Sequence, residues 1–225
     1  MTRPWQTLDR VDTAEGPLEL RRRGADELLI TIDGRILMNG VANRSELALA
    51  RLGCAALPPA TAPRVLVGGL GLGFTLRAAL DALPASARVT VAELTPAVVD
   101  WCRGPARSPS GDALADPRVD VQVADVADVI AEAARARGPA RFHAILLDLY
   151  EGPHEATQSA QDPFYGAAAL RRTRQALHPG GVLAVWSEEP DAAFARRLSA
   201  AGFHFELHRP GKGGRRHAVY VARSK

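Results

Sequence analysis

The sequence predicts an α/β fold: a doubly wound, mostly parallel seven-stranded sheet preceded by a small N-terminal antiparallel β segment. Three observations carry that prediction. From residue 64 onward, short β-branched apolar runs alternate with helix-compatible segments, as in parallel sheets covered by helices on both faces. The first run, Val65-Leu66-Val67, passes straight into Gly68, Gly69, Gly71 and Gly73 and then an apolar helical stretch. Before residue 60 the pattern is instead one of short strands joined by tight turns, the signature of hairpins.

Taken in order, residues 1–17 are broken by Pro4 and Pro17 and read as irregular. Strands are predicted at 18–21, 27–32 and 35–38, with Asp33-Gly34 as a strong hairpin turn. A helix follows from Asn43, with Glu46 in its first turn, where the helix dipole favours an acid. Pro58, Pro59 and Pro63 mark a boundary near residue 60. It divides the chain into an N-terminal segment, 1–60, and a Rossmann-like domain, 61–225. In that domain strands are predicted at 65–67, 88–92, 118–123, 142–147, 182–186, 203–208 and 216–222. Helices are predicted at 74–83, 96–103, 126–137, 163–177 and 190–201, the fourth ending at His178-Pro179-Gly180-Gly181. The last two strands flank the turn Pro210 to Gly214, so the C-terminal strand is antiparallel.

Composition narrows the class of function. A chain of 225 residues, 47% apolar and 24% charged, buries a real core. Aromatic residues make up only 5%, which argues against a surface that stacks nucleic-acid bases. Net charge is +3, with clusters at Arg21-Arg22-Arg23 and from Arg209 to Lys225, read first as solvated hairpin faces. Cys54 and Cys102 form no Cys-x-x-Cys pair, and with them a reducing cytoplasm is the expected location. No apolar run approaches the ~20 residues of a membrane span. His143, His154, His178 and His217 are scattered, and His204 and His208 lie in a predicted strand, so no metal site is expected.

The glycine turn fits one nucleotide motif better than its competitors. No lysine follows Gly73, which excludes the triphosphate loop. The dinucleotide spacing would need glycine at Phe74 or Leu76. What stands is Gly69-Leu70-Gly71-Leu72-Gly73. The second strand ends at Glu93, beside the turn in a doubly wound sheet, where an acid can take both ribose hydroxyls. The third ends at Asp125, placed to accept from an adenine amino group, and the fourth at Asp148, followed by Tyr150 and Glu151. Each acid could equally be a turn former or a helix cap. Together they lie where ligands of such sheets bind, outside the carboxyl ends of the strands.

These stretches, with Asp116-Pro117-Arg118 before the third strand and Phe164-Tyr165 before the fifth, resemble spermidine synthase-like proteins of the class I S-adenosylmethionine-dependent methyltransferase fold. The resemblance spans roughly residues 18–222. It implies S-adenosylmethionine or its decarboxylated form as ligand. Gly69, Gly71, Gly73, Glu93, Leu94, Asp125, Val126 and Asp148 would bind it, and Asp148, Tyr150 and Glu151 are the candidate catalytic residues. It also implies a homodimer. The aspartate of the spermidine synthase glycine turn aligns with Leu72, which favours methyl over aminopropyl transfer to a small-molecule acceptor such as an amine. Aminopropyl transfer and a non-catalytic nucleoside-binding homologue are the alternatives. Loop 149–162 is long enough to serve as a lid, and Glu46 is a further acid that could reach the cleft.

Overall fold

The computed structural model describes residues 3–136, 138–154, 157, 159, 161–211 and 217–224. The turn expected between 210 and 214 and the basic residues Lys212, Arg215, Arg216 and Lys225 lie wholly or partly outside that set. So do residues 155, 156, 158 and 160 of the loop expected to act as a lid.

The chain opens with four strands, β1 (Gln6–Thr13), β2 (Gly16–Arg23), β3 (Glu27–Ile32) and β4 (Arg35–Asn39), in one antiparallel meander. β1 was expected to be irregular. Its sequence Gln-Thr-Leu-Asp-Arg-Val-Asp-Thr presents polar residues on both sides, so no apolar alternation announces it. Backbone pairing with β2 forms it all the same, closed by a Thr13–Gly16 turn in which the Thr13 hydroxyl donates to the Gly16 carbonyl at 2.7 Å. In the arginine cluster, Arg23 lies over the Trp5 ring at 4.7 Å and pairs with Glu27 at 2.5 Å.

Helix α1 (Arg44–Ala55) follows. Although it precedes the proline boundary, it packs against α2 (Phe74–Ala82) and the large sheet. That sheet and its helices run β5 (Arg64–Gly68), α2, β6 (Arg88–Glu93), α3 (Pro96–Arg103), β7 (Val119–Val123), α4 (Val126–Ala136), β8 (Phe142–Leu147), α5 (Ala167–Ala176), β9 (Leu177–Ser187), α6 (Ala192–Ala200), β10 (Phe203–His208) and β11 (Ala218–Ser224). The spatial order is β10-β11-β9-β8-β5-β6-β7. Neighbours from β9 to β7 are parallel. The C-terminal strand β11 is antiparallel to both neighbours and slots between β9 and β10, leaving β10 at the edge.

Pleating sorts the strand residues into two cores. Val65, Val67, Val89, Val91, Leu146 and Ala184 face α1, α2, α3 and the inner side of the N-terminal sheet. Leu66, Ile145, Leu147, Leu183 and Val185 face α4, α5 and α6. Both faces are covered, so the strands read as continuous apolar runs.

Two boundaries shift for local reasons. α5 starts at Ala167 rather than 163, because Asp162 Oδ1 accepts from the backbone N–H groups of Phe164 and Tyr165 and holds them in a turn. The expected His178-Pro179-Gly180-Gly181 stop is a bulge inside β9. Phe142 pairs Leu177, and the register then jumps to Ala144 with Val182.

Candidate functional site

At the carboxyl ends of β5, β6, β7 and β8 lies a cleft of about 650 Å³. That is within the range of roughly 300–1,000 Å³ for small-molecule sites. The N-terminal sheet roofs it with Leu18, Ile30, Ile32, Arg35 and Met38. Its floor comes from the strand ends: Gly69 and Gly71 after β5, Glu93 and Leu94 at β6, Asp125 and Val126 after β7, and Asp148 to Gly152 after β8.

Two glycines make the floor open. Gly69 has φ 85° and Gly71 φ 50°, left-handed conformations that residues with a Cβ adopt at a cost. A Cβ on Gly69 would strike the Asp148 carbonyl, and one on Gly71 would fall 2.6 Å from Met38 Cε. Gly73 sits further back, where its carbonyl accepts from Arg77 N at the start of α2, and it does not line the cleft. Leu72 is fully buried in the core. Its amide donates to Met38 Sδ at 3.0 Å, so the thioether caps the turn.

Glu93 is almost wholly buried. Its Oε2 accepts from Leu70 N at 2.8 Å and its Oε1 from Thr95 N at 2.9 Å. Burial pushes its carboxyl above the usual range, against those backbone N–H groups. The Leu94 N–H is a third backbone partner of this carboxylate, which with about four lone-pair sites keeps acceptor capacity for a hydroxyl. Leu94 beside it is 68% exposed and lines the cleft, while Val126 opposite is buried. Asp125 does what a helix-capping acid does: Oδ1 accepts from Ala127 N at 2.8 Å. Its second oxygen has no partner among the described residues and is available to an amino group.

Asp148 is set from two sides. Thr75, in the first turn of α2, donates its hydroxyl to Asp148 Oδ2 at 2.6 Å. Burial first, and the neighbouring Glu46 charge second, push the Asp148 carboxyl up to about 7, while the Thr75 bond pulls it down. Glu46 itself does not line the cleft. It is buried in the first turn of α1 and accepts from Ser45 Oγ at 2.7 Å.

The outer wall is charged. Glu151, at φ 59°, places Oε1 3.4 Å from Arg35 Nη1 and Oε2 3.1 Å from His154 Nε2. The Arg35 guanidinium lies 5.4 Å from the centre of the Tyr150 ring. Burial and the Glu151 charge raise the Tyr150 phenol above its ordinary value. Phe164 and Tyr165 also line the cleft. Tyr165 packs edge-on against Phe194 at 5.6 Å, and its hydroxyl is buried without a partner among the described residues.

Of the predicted site residues, Gly69, Gly71, Glu93, Leu94, Asp125, Val126, Asp148, Tyr150 and Glu151 share this one cleft, and Gly73 stands apart. The sequence reading missed Met38, Arg35 and Thr75. Thr75 lies two residues past the glycine turn and was within reach of pattern reasoning; Met38 and Arg35 arrive from a separate sheet. Among the described residues, no group of His, Cys, Asp or Glu is arranged to hold a metal ion, and no helix is long and apolar enough to cross a membrane.

Strand order, the antiparallel β11 and a cleft at the strand ends define a Rossmann-like fold. Within it, the chain has a spermidine synthase-like fold. It superposes on spermidine synthase from Thermotoga maritima with a TM-score of 0.76 at 17% identity, covering 98% of this chain and 73% of that one. A spermidine synthase in complex with the transition-state analogue AdoDATO gives 0.75 at 17% identity, with the same coverage. The sequence matches no protein-family model and no curated protein.

Proposed function

We propose that this protein transfers an alkyl group from an adenosyl-sulfonium donor to a small-molecule amine. One observation carries the proposal: four consecutive parallel strand ends bring the glycine turn, Glu93, Asp125 and Asp148 into a single cleft. The residues present suit such a donor. Glu93 has a free lone pair for a ribose hydroxyl, Asp125 Oδ2 for an adenine amine, and Leu94 and Val126 offer apolar surface to a base.

A bound sulfonium supplies a carbon already attached to a good leaving group. The chain's own residues then have to align the amine and take its proton. Alignment alone contributes roughly 7–11 kcal/mol to well-oriented reactions. Asp148 is the group for the proton, because a carboxyl near neutral pKa is matched to that task. The amine nitrogen forms the new C–N bond as the C–S bond breaks. The electron pair stays on sulfur, and the proton passes to Asp148.

The fold neighbours favour the aminopropyl version, in which decarboxylated S-adenosylmethionine is the donor. A second version, methyl transfer from S-adenosylmethionine, is favoured by Leu72. Where spermidine synthases carry an aspartate, this turn has a buried leucine whose amide is capped by Met38. Calorimetric titration with both donors and with methylthioadenosine tests the proposal. Tighter binding of the decarboxylated donor supports the aminopropyl version, and the reverse supports methyl transfer. Absence of binding by all three nucleosides overturns the proposal. If donor binds but no acceptor turns over, and Asp148→Asn changes nothing, the non-catalytic alternative stands.

A further inference from the structure

We infer that Arg35 selects the acceptor, and that the site takes an amine carrying a carboxylate several bonds away, an ω-amino acid, in preference to a diamine. The inference rests on the amine-alkylating function proposed above and concerns the outer half of the same cleft. A diamine needs an anion for each ammonium. Asp148 can serve the reacting end. Of the acids on the outer wall, Asp162 is engaged through Oδ1 by the Phe164 and Tyr165 amides, and Glu151 is already shared between two partners. Arg35 Nη1 stands 3.4 Å from its Oε1 and His154 Nε2 3.1 Å from its Oε2. A second ammonium there would compete with a guanidinium that never loses its charge.

Arg35 is also held in place rather than swinging free. It begins β4 directly after the Asp33-Gly34 turn and lies across the Tyr150 ring at 5.4 Å. Glu151 occupies a left-handed conformation, φ 59°, with its carbonyl accepting from Glu188 N at 3.2 Å. The backbone is set at both partners, and the Tyr150 ring and the Glu151 carboxylate orient the guanidinium. A guanidinium has five N–H donors, and the ion pair with Glu151 occupies a small part of them. Its side chain is 56% exposed within the cleft wall. A planar, pre-oriented cation of this kind matches a carboxylate in two-point fashion. Among the described residues, Glu15 at the rim is the one acid of the roof that lines the cleft, and the diamine arm of the experiment reports on it.

The test uses the full-length protein saturated with methylthioadenosine and titrated with 4-aminobutanoate or 1,4-diaminobutane, which share a chain length and an amine. The amino acid is expected to bind at least tenfold more tightly. Arg35→Glu is expected to reverse that order, and Arg35→Met, which keeps the aliphatic stem, to abolish the preference. Both variants should hold methylthioadenosine within twofold of the parent, which reports a folded donor site. Tighter binding of the diamine by the parent protein, binding of neither acceptor, or a preference unmoved by Arg35→Glu overturns the inference. Failure of the parent to bind methylthioadenosine and both donors overturns the proposed function, and the acceptor inference with it.

Discussion

Thr75 Oγ1 donates to Asp148 Oδ2 across 2.6 Å, joining the first turn of α2 to the end of β8 under the floor of the cleft. The glycine turn and the acid at the fourth strand end are thus tied by one side chain. Thr75→Val keeps the shape and removes the bond. A hydrogen bond to a charged group is worth about 1.5–3 kcal/mol, so turnover should fall roughly ten- to a hundredfold at a tenfold per 1.4 kcal/mol. Since this bond lowers the Asp148 pKa, its loss should also move the acid limb of the pH–rate profile upward. Steady-state kinetics across pH 6 to 9 measures both. An unshifted limb would mean that Asp148 is not the titrating group.

The same carboxyl links the proposed activity to stability. Folded Asp148 holds its proton to about pH 7, against an ordinary value of 3.8. The unfolded chain releases its proton first, so stability falls as pH rises between those values, and the full penalty stands above pH 7. Asp148→Asn cannot ionise. It should raise Tm relative to the parent at pH 8, by more than it does at pH 5, while abolishing turnover. Scanning calorimetry at the two pH values reads the difference. An equal shift at both would show that ionisation of Asp148 is not what destabilises the fold.

Glu93 serves the fold and is the proposed ribose ligand. Its two oxygens hold the Leu70 and Thr95 amides, so removing them orphans buried donors as well as the proposed ribose contact. Glu93→Ala should weaken methylthioadenosine binding by about ten- to a hundredfold on the same scale of charged hydrogen bonds and also lower Tm. Glu93→Gln keeps one acceptor oxygen and should lose less of each. Calorimetry of both variants checks the order; unchanged nucleoside affinity in the alanine variant would remove Glu93 from the site.

What could be read from the sequence follows from distance along the chain. Gly69, Gly71, Glu93, Asp125 and Asp148 each stand next to the apolar strand that presents them, so strand periodicity located them. Asp125 caps α4 through Oδ1, the helix-cap reading, and it also lines the cleft. β1 was missed because only Leu8 and Val11 interrupt its polar sequence; pairing with β2, packing of those two side chains on the core and the Trp101 indole donating to Asp9 Oδ2 make it a strand. Met38 meets Leu72 across 34 positions and Arg35 meets Glu151 across 116. No local pattern encodes such meetings; they exist only once β4 is folded over the strand ends. Leu72 shows the converse. The sequence marked it as a leucine where the resembled family has an aspartate, but not that its side chain is buried in the core.

Met38 and Gly71 offer the sharpest test of how the roof meets the floor. Gly71→Ala would hold a Cβ at φ 50° and press it 2.6 Å from Met38 Cε. The backbone strain alone is about 1–2 kcal/mol, and the clash adds to it. Met38→Ala deletes a buried side chain, for about 2–5 kcal/mol, and frees the Leu72 amide. In the double variant the new Cβ occupies space that the thioether has left. Its loss of stability should therefore be smaller than the sum of the two single losses, by about 0.5–3 kcal/mol, the usual range for residues in contact. Urea unfolding of the four proteins closes the cycle. Strict additivity would mean that the N-terminal sheet does not rest on the glycine turn in solution.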